Sequence, residues 1–318
     1  MKLHLKSLRR VKKKQDSMLE SESQTSRIPI AVVPKLPPKP ELTYEDVMKD
    51  QLFLMVPSLW NESVPFPSAV LKQYYTPNTG TGIKSCLQPI SKEITNLLQL
   101  LPCNQKASIF ARVEEGRIDG MKVVMTGPVG TPYAYGCFEF NVFFPPNYPH
   151  VPPTLKLVTT GSGTVRFNPN LYETGYVCVS LLGTWPATKP EECWQPNKST
   201  LLQVLVSIQS LIMTEFPYFN EPGYEVHRSP TYPASLAYNR NLHIQTVKFA
   251  ILGQLRNASL LDIGGFGKVI RNHFYLNKNE VKDQVRKWAN ADMFHVITWN
   301  TLTMEVEQEL EKLVALEE

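Results

Sequence analysis

Five cysteines are few for 318 residues, and no two of them form a CxxC pair. Cys86, Cys103, Cys137, Cys178 and Cys193 are odd in number and irregularly spaced, and no histidine pair stands at finger spacing. Those absences argue against both a zinc site and a disulfide scaffold, so no metal is expected. Thiols left unpaired fit a reducing compartment, the cytoplasm or the nucleus. No apolar run approaches the ~18 residues of a membrane-spanning helix, and no secretory h-region is present. No internal repeat is visible. A large excess of one charge is also missing: 33 Lys and Arg against 29 Asp and Glu leave a net +4. That is too little to imply a general polyanion partner, so nucleic acid is not expected to be one. The 42% of hydrophobic residues is enough for a buried core.

What positive excess there is lies at one end. Met1–Lys14 carries seven Lys or Arg and no acid, and without them the remainder stands at −3. This run is open to several readings: a nuclear localisation signal, an RNA- or membrane-surface patch, a docking arm, or a solvated tail. Leu3, Leu5, Leu8 and Val11 leave a weak amphipathic or transit-peptide reading open as well. Five prolines follow between Pro29 and Pro40, and residues 1–42 together read as a disordered arm. Residues 43–60 place Val47, Leu52 and Met55 at helical spacing, which predicts a short helix leading through a linker to residue 82.

From Gln88 the pattern sharpens. Ile90, Ile94, Leu97, Leu98 and Leu101 share a helical face, with Ser91 as the expected N-cap and Pro102 ending the element. Strand patterns cover Ala107–Val113, Met121–Thr126, Cys137–Phe144 and Thr154–Thr159. In the third, Phe138, Phe140, Val142 and Phe144 fall on one face. Turn signals separate the first three, predicting an antiparallel meander of four strands. A charge-free helix is expected over Leu201–Met213, capped by Ser199 or Thr200, with Leu201, Leu205, Ile208 and Ile212 inward. Further helices read as 239–256, 267–274, 279–292 and about 299–317. The last carries a stripe of Leu302, Val306, Leu310 and Leu313 that needs a cover.

The chemistry concentrates in RFNPNLYETGYVCVSLLGTW, Arg166 to Trp185. Asn170 lies eight residues before Cys178, across the polar turn Glu173-Thr174-Gly175. This layout predicts an exposed thiol with an amide donor fixed beside it. Acyl transfer through a thioester needs such a pair: the sulfur carries the acyl group, and the amide steadies the oxyanion when a nucleophile attacks. Taken from composition alone, a Cys between Val177 and Val179 reads as a buried structural thiol. No His or Asp is placed as a dedicated base, which argues against a Cys–His hydrolase.

Around this segment the chain resembles the ubiquitin-conjugating enzymes, the E2 family. Thr126–Phe140 is similar to the family's GP-x-x-xPY-x-G-x-F, and Phe144–Pro153 to its FP-x-x-YP-x-x-PP. FNPNLYETGYVC matches HPN-x-x-x-x-G-x-x-C with Asn168 in place of His, and Trp194-Gln195-Pro196 matches W-x-P before the following helix. The long Cys178–Trp194 gap and the helical extension resemble the large E2s. Nearest among these are the conjugating domain of the giant inhibitor-of-apoptosis E2/E3 hybrid, the stand-alone E2 of the second ubiquitin-activating enzyme, and the large one-chain E2/E3 enzymes. No zinc-binding BIR repeat is present, so a caspase-binding role does not carry over.

The resemblance implies an α+β UBC fold: an N-terminal helix, a four-stranded antiparallel meander and C-terminal helices, with a core at 83–225 and a helical extension at 226–318. It implies that Cys178 accepts ubiquitin from an E1 as a thioester, and that Asn170 steadies the oxyanion or holds the loop. Asn168 would brace the loop, and Glu221 of NEPG would orient and deprotonate the incoming lysine. Tyr218 and Asn220 would line the substrate groove. His150 and Pro196 mark the two loops that contact E3 ligases, and His150 stands where RING-binding members carry a large apolar residue. The insertion Thr184–Cys193 would gate the thiol or lie passively beside it. Ubiquitin, an E1, substrate proteins and an E3 are the implied partners, and no cofactor is. Three other readings stay open: a non-catalytic E2-like interaction module, an E2 for another modifier, and an E2/E3 hybrid.

Overall fold

The computed structural model describes residues 42–60, 82–187, 189–260 and 265–313. The basic and Pro-rich arm therefore lies outside the described residues, apart from Leu42. Five strands form one sheet in the order β1-β2-β3-β4-β5. The expected meander is β2 (Ile109–Glu114), β3 (Arg117–Thr126), β4 (Cys137–Phe143) and β5 (Thr154–Leu157), antiparallel throughout.

The fifth strand corrects the helical reading of residues 43–60. Only Tyr44–Met48 is α-helix (α1), closed at its start by a Thr43–Asp46 capping box. Phe53–Val56 is β1, which runs parallel to β2 with Phe53 opposite Ala111. The Val47–Leu52–Met55 spacing fits a helix as a pattern, yet Met55 is exposed while Phe53 is buried. What decides is the apolar run FLMV, which gains a full ladder on β2.

Helix α2 (Gly82–Leu100) is longer than expected and contains Pro89. Ser91 is interior, not the N-cap, and its hydroxyl donates back to the Leu87 carbonyl at 2.9 Å. Helix α3 (Leu201–Ser207) continues as a π-helical turn over Ile208–Ile212. Thr200 caps it through a capping box with Gln203, a device worth about 1 kcal/mol. Leu201, Leu205, Ile208 and Ile212 are all buried, as their spacing predicts.

Both faces of the sheet are covered, and the sequence pattern says why. On β2, Ile109, Ala111 and Val113 join the core beneath α2 and α3, with Phe138, Phe140, Val142 and Phe144. Phe110, Val124 and Cys137 belong to a second core on the opposite face. A two-sided strand reads as a near-continuous apolar run rather than a strict alternation, and β2 is buried from Ile109 to Val113.

The second core is closed by the C-terminal helices. These are α4 (Pro233–Gln245), a π-helical stretch (Thr246–Leu252), α5 (Gly253–Leu260), α6 (Gly267–Leu276), α7 (Lys278–Ala291) and α8 (Val296–Glu311). The stripe Leu302, Val306 and Leu310 on α8 is buried in that core, so the chain's own domain covers it. Arg112 is fully buried there, donating to the carbonyls of Gln51 (2.8 Å) and Gly265 (2.9 Å) with Phe266 stacked beneath it. Among the described residues, no helix is long and apolar enough to cross a membrane.

Candidate active site

The active segment runs irregularly across the end of the sheet, and short local bonds shape it. Tyr172 receives the Gly175 N–H on its carbonyl at 2.9 Å, closing the turn, and Leu157 of β5 donates to the Gly175 carbonyl at 2.8 Å. Gly175 has φ +84°, and a Cβ there would lie 2.4 Å from the Leu157 carbonyl oxygen. Only glycine fits such a position. The turn returns the chain so that the Cys178 N–H donates to the Asn170 carbonyl at 2.9 Å.

Asn168 is the brace. It is fully buried, and its amide donates to the Tyr133 hydroxyl (2.9 Å) and the Ile212 carbonyl (2.8 Å). Its Oδ1 accepts from the Asn170 N–H (2.9 Å) and the Asn220 amide (3.3 Å). Tyr133, from the GP-x-x-xPY stretch, donates to the Phe167 carbonyl at 2.8 Å. An asparagine thus ties the loop to α3, to Tyr133 and to the segment that follows α3.

Asn170 is buried, and its Nδ2 donates to the Cys178 carbonyl at 3.0 Å. That bond uses one of two amide hydrogens; the second remains to meet an oxyanion. Cys178 is only 4% exposed, which corrects the expectation of an exposed thiol. It lies in a groove of about 220 Å³ lined with Asn170, Val179, Ser180, Trp185, Ile212 and Asn220. Thr184, which begins the insertion, pins the strand beside the thiol. Its hydroxyl donates to the Val177 carbonyl (2.8 Å) and accepts from the Val179 N–H (2.9 Å).

Burial pushes the Cys178 thiol above its ordinary range, and a hydrogen bond from Tyr172 and the nearby Arg166 charge act against that rise. The other shifted thiols differ. Burial raises Cys137 with nothing opposing it, and the acids Asp119 and Glu45 raise Cys86 and Cys103 further. Among these four, a cation acts on Cys178 alone.

Not all the sequence candidates share one groove. Asn220 lines the Cys178 groove with Asn170. Tyr218 and Glu221 line a neighbouring cavity of about 750 Å³ with Arg166, Tyr224, Tyr238 and Asn241. Glu221 lies 3.5 Å from the Arg166 guanidinium, both side chains 40% exposed. Tyr218 packs on Tyr224 at 4.8 Å and on Tyr238 at 6.0 Å between ring centroids. His150 and Pro196 are both exposed, on loops joined by a 2.8 Å bond from the Trp194 indole to the Pro149 carbonyl. Arg166 and Tyr172 were missed as candidates. Their one signal in the sequence is their position inside the Asn170–Cys178 segment.

Sheet, helices, braced asparagine and thiol together define a class. Residues 89–232 match the family model described as ubiquitin-conjugating enzyme, and this part of the chain is a ubiquitin-conjugating (UBC) domain. Over 201 residues, 63% of this chain, it is 49% identical to the Homo sapiens "Dual E2 ubiquitin-conjugating enzyme/E3 ubiquitin-protein ligase BIRC6", covering 4% of that protein. It is 45% identical over 203 residues to the Caenorhabditis elegans "Probable ubiquitin-conjugating enzyme protein 17", covering 63% of this chain and 27% of that one. With the Arabidopsis thaliana "Probable ubiquitin-conjugating enzyme E2 25" it shares 39% identity over 214 residues, 67% of this chain and 34% of that one. The chain therefore spans between 4% and 34% of the length of these relatives.

Proposed function

We propose that this chain is an E2 enzyme that takes ubiquitin from an E1 as a thioester on Cys178 and passes it to a substrate lysine. The observation that carries the reading is the pairing of Asn170 with Cys178 in one groove inside the family-matched region. In the first step the Cys178 thiolate attacks the E1 thioester carbonyl and the E1 thiolate leaves. One thioester replaces another, so the demand falls on access and alignment. In the second step a lysine amine attacks, Asn170's free amide hydrogen meets the developing oxyanion, and Glu221 orients the ammonium and takes its proton. Tyr218 and Asn220 line the approach. The His150 and Pro196 loops, held together by Trp194, are where an E3 would dock. Five unpaired cysteines support a cytoplasmic or nuclear setting.

A single-turnover discharge assay tests the transfer step. The chain is charged with E1, ATP and ubiquitin, E1 is quenched, and free lysine is added. Asn170→Ala slows discharge on the order of 10²–10³-fold, and Glu221→Gln slows it without changing charging. Discharge unaltered in Asn170→Ala would remove that residue from the chemistry.

A further inference from the structure

Arg166 and Tyr172 have no role in the scheme above, yet they form a connected unit that reaches the sulfur. The Arg166 guanidinium carbon sits 4.1 Å from the centre of the Tyr172 ring. Its Nη2 donates to the Pro169 carbonyl at 2.6 Å, so the cation is anchored independently of Glu221. Tyr172 is fixed by its backbone: its N–H donates to the Tyr176 carbonyl at 3.0 Å and its carbonyl accepts from Gly175. The phenol of this fixed ring donates to Cys178. A cation over the face of a phenol draws electron density from the ring and makes its hydroxyl a stronger donor.

We propose that Arg166 and Tyr172 are positioning residues for the thioester chemistry: Tyr172 donates a hydrogen bond to the Cys178 sulfur, and Arg166, stacked on the ring, strengthens that bond and favours the thiolate. The pair offsets the cost of seating the sulfur in a nearly closed groove. Desolvation penalises the charged form, and a hydrogen bond and a cation restore it. In the exchange itself the Cys178 proton passes to solvent, a C–S bond forms at Cys178 and one breaks at the donor, with no redox change. Arg166 also faces Glu221, so one cation borders both the thiol and the cavity where the lysine would enter.

The test reads the sulfur directly. The full chain is alkylated with iodoacetamide across pH 6–11, and modification of Cys178 is followed by mass spectrometry, with exposed Cys193 as the internal control. Tyr172→Phe keeps the ring and removes one oxygen. It and Arg166→Gln are expected to move the Cys178 inflection up by about one pH unit, roughly tenfold slower alkylation on the rising limb. Arg166→Lys returns most of the rate, and in Tyr172→Phe the further change Arg166→Gln adds little. Cys178 profiles of Tyr172→Phe and Arg166→Gln that superimpose on the native one would overturn the proposal. Alkylation does not depend on the E2 reading. A chain that shows the shift but never accepts ubiquitin would sink that reading and leave the assignment standing.

Discussion

Replacing Asn168 by Ala tests whether the loop is held as described. The side chain makes four hydrogen bonds with no exposure to water. The partners lose unequally. The Asn170 N–H loses its acceptor, and a buried donor left bare costs about 1–3 kcal/mol. The Ile212 carbonyl keeps a longer bond from the Asn220 amide at 3.3 Å, and the Tyr133 hydroxyl keeps its bond to Phe167, so each of these two losses is nearer 1 kcal/mol. The sum is about 3–4 kcal/mol, a large share of the 5–15 kcal/mol typical of a folded protein. Urea unfolding should show a lower midpoint at unchanged slope. Asn168→Asp should be worse, because both donations vanish and a carboxylate is buried. A loss below about 1 kcal/mol for Asn168→Ala would refute the brace.

Three further outcomes follow from buried polar groups. Thr184→Val leaves the Val179 N–H without its 2.9 Å acceptor, so the cover over the thiol should loosen and alkylation of Cys178 at fixed pH should rise several-fold; slower or unchanged labelling contradicts the pinning. His273 is fully buried and held neutral, its pKa lowered to about 4 by burial, with Nδ1 accepting from Tyr44 and Nε2 donating to Tyr135. Its folded pKa is depressed below an unfolded value near 6.5. Its contribution is therefore whole above pH 6.5 and lost as pH falls toward 4, a decline that His273→Gln should flatten in an unfolding series. Glu93 has the opposite sign. Burial raises its carboxyl, which bonds the Tyr148 hydroxyl at 2.5 Å and accepts the Leu201 N–H at 3.0 Å. Its contribution is whole below the unfolded value near 4.3 and falls as pH rises through the higher folded value; a Glu93→Gln chain with the same slope over that range would exclude this.

Much of the fold was legible because local rules and tertiary needs agree. Thr200 caps α3, and the period-2 pattern of Phe138 to Phe144 marks one sheet face. Where they disagree, the sequence misleads. Phe53–Val56 has helical spacing to its left and no turn signal before it, and only the ladder on Ala111–Glu114 makes it a strand. Ser91 is a good cap by type, but α2 begins well before it, and its hydroxyl found a carbonyl one turn back. The second core could not be foreseen from any one segment, since Arg112 and Phe110 read as ordinary alternation until α5–α8 arrive to cover them. At the site, Asn170 and Cys178 were legible from their spacing. The seclusion of the sulfur was not, because it depends on Trp185 and Ile212 closing in from separate segments. The separation of Glu221 from the thiol groove and the Arg166–Tyr172 stack are likewise products of packing.

The most direct measurement is a charging assay on non-reducing gels, with E1, ATP and ubiquitin, comparing the native chain with Cys178→Ser and Cys178→Ala. The account predicts a thiol-sensitive ubiquitin adduct on the native chain, a reductant-resistant ester on Cys178→Ser, and nothing on Cys178→Ala. An adduct that persists in Cys178→Ala, or a native chain that stays bare with every ubiquitin E1, would contradict it.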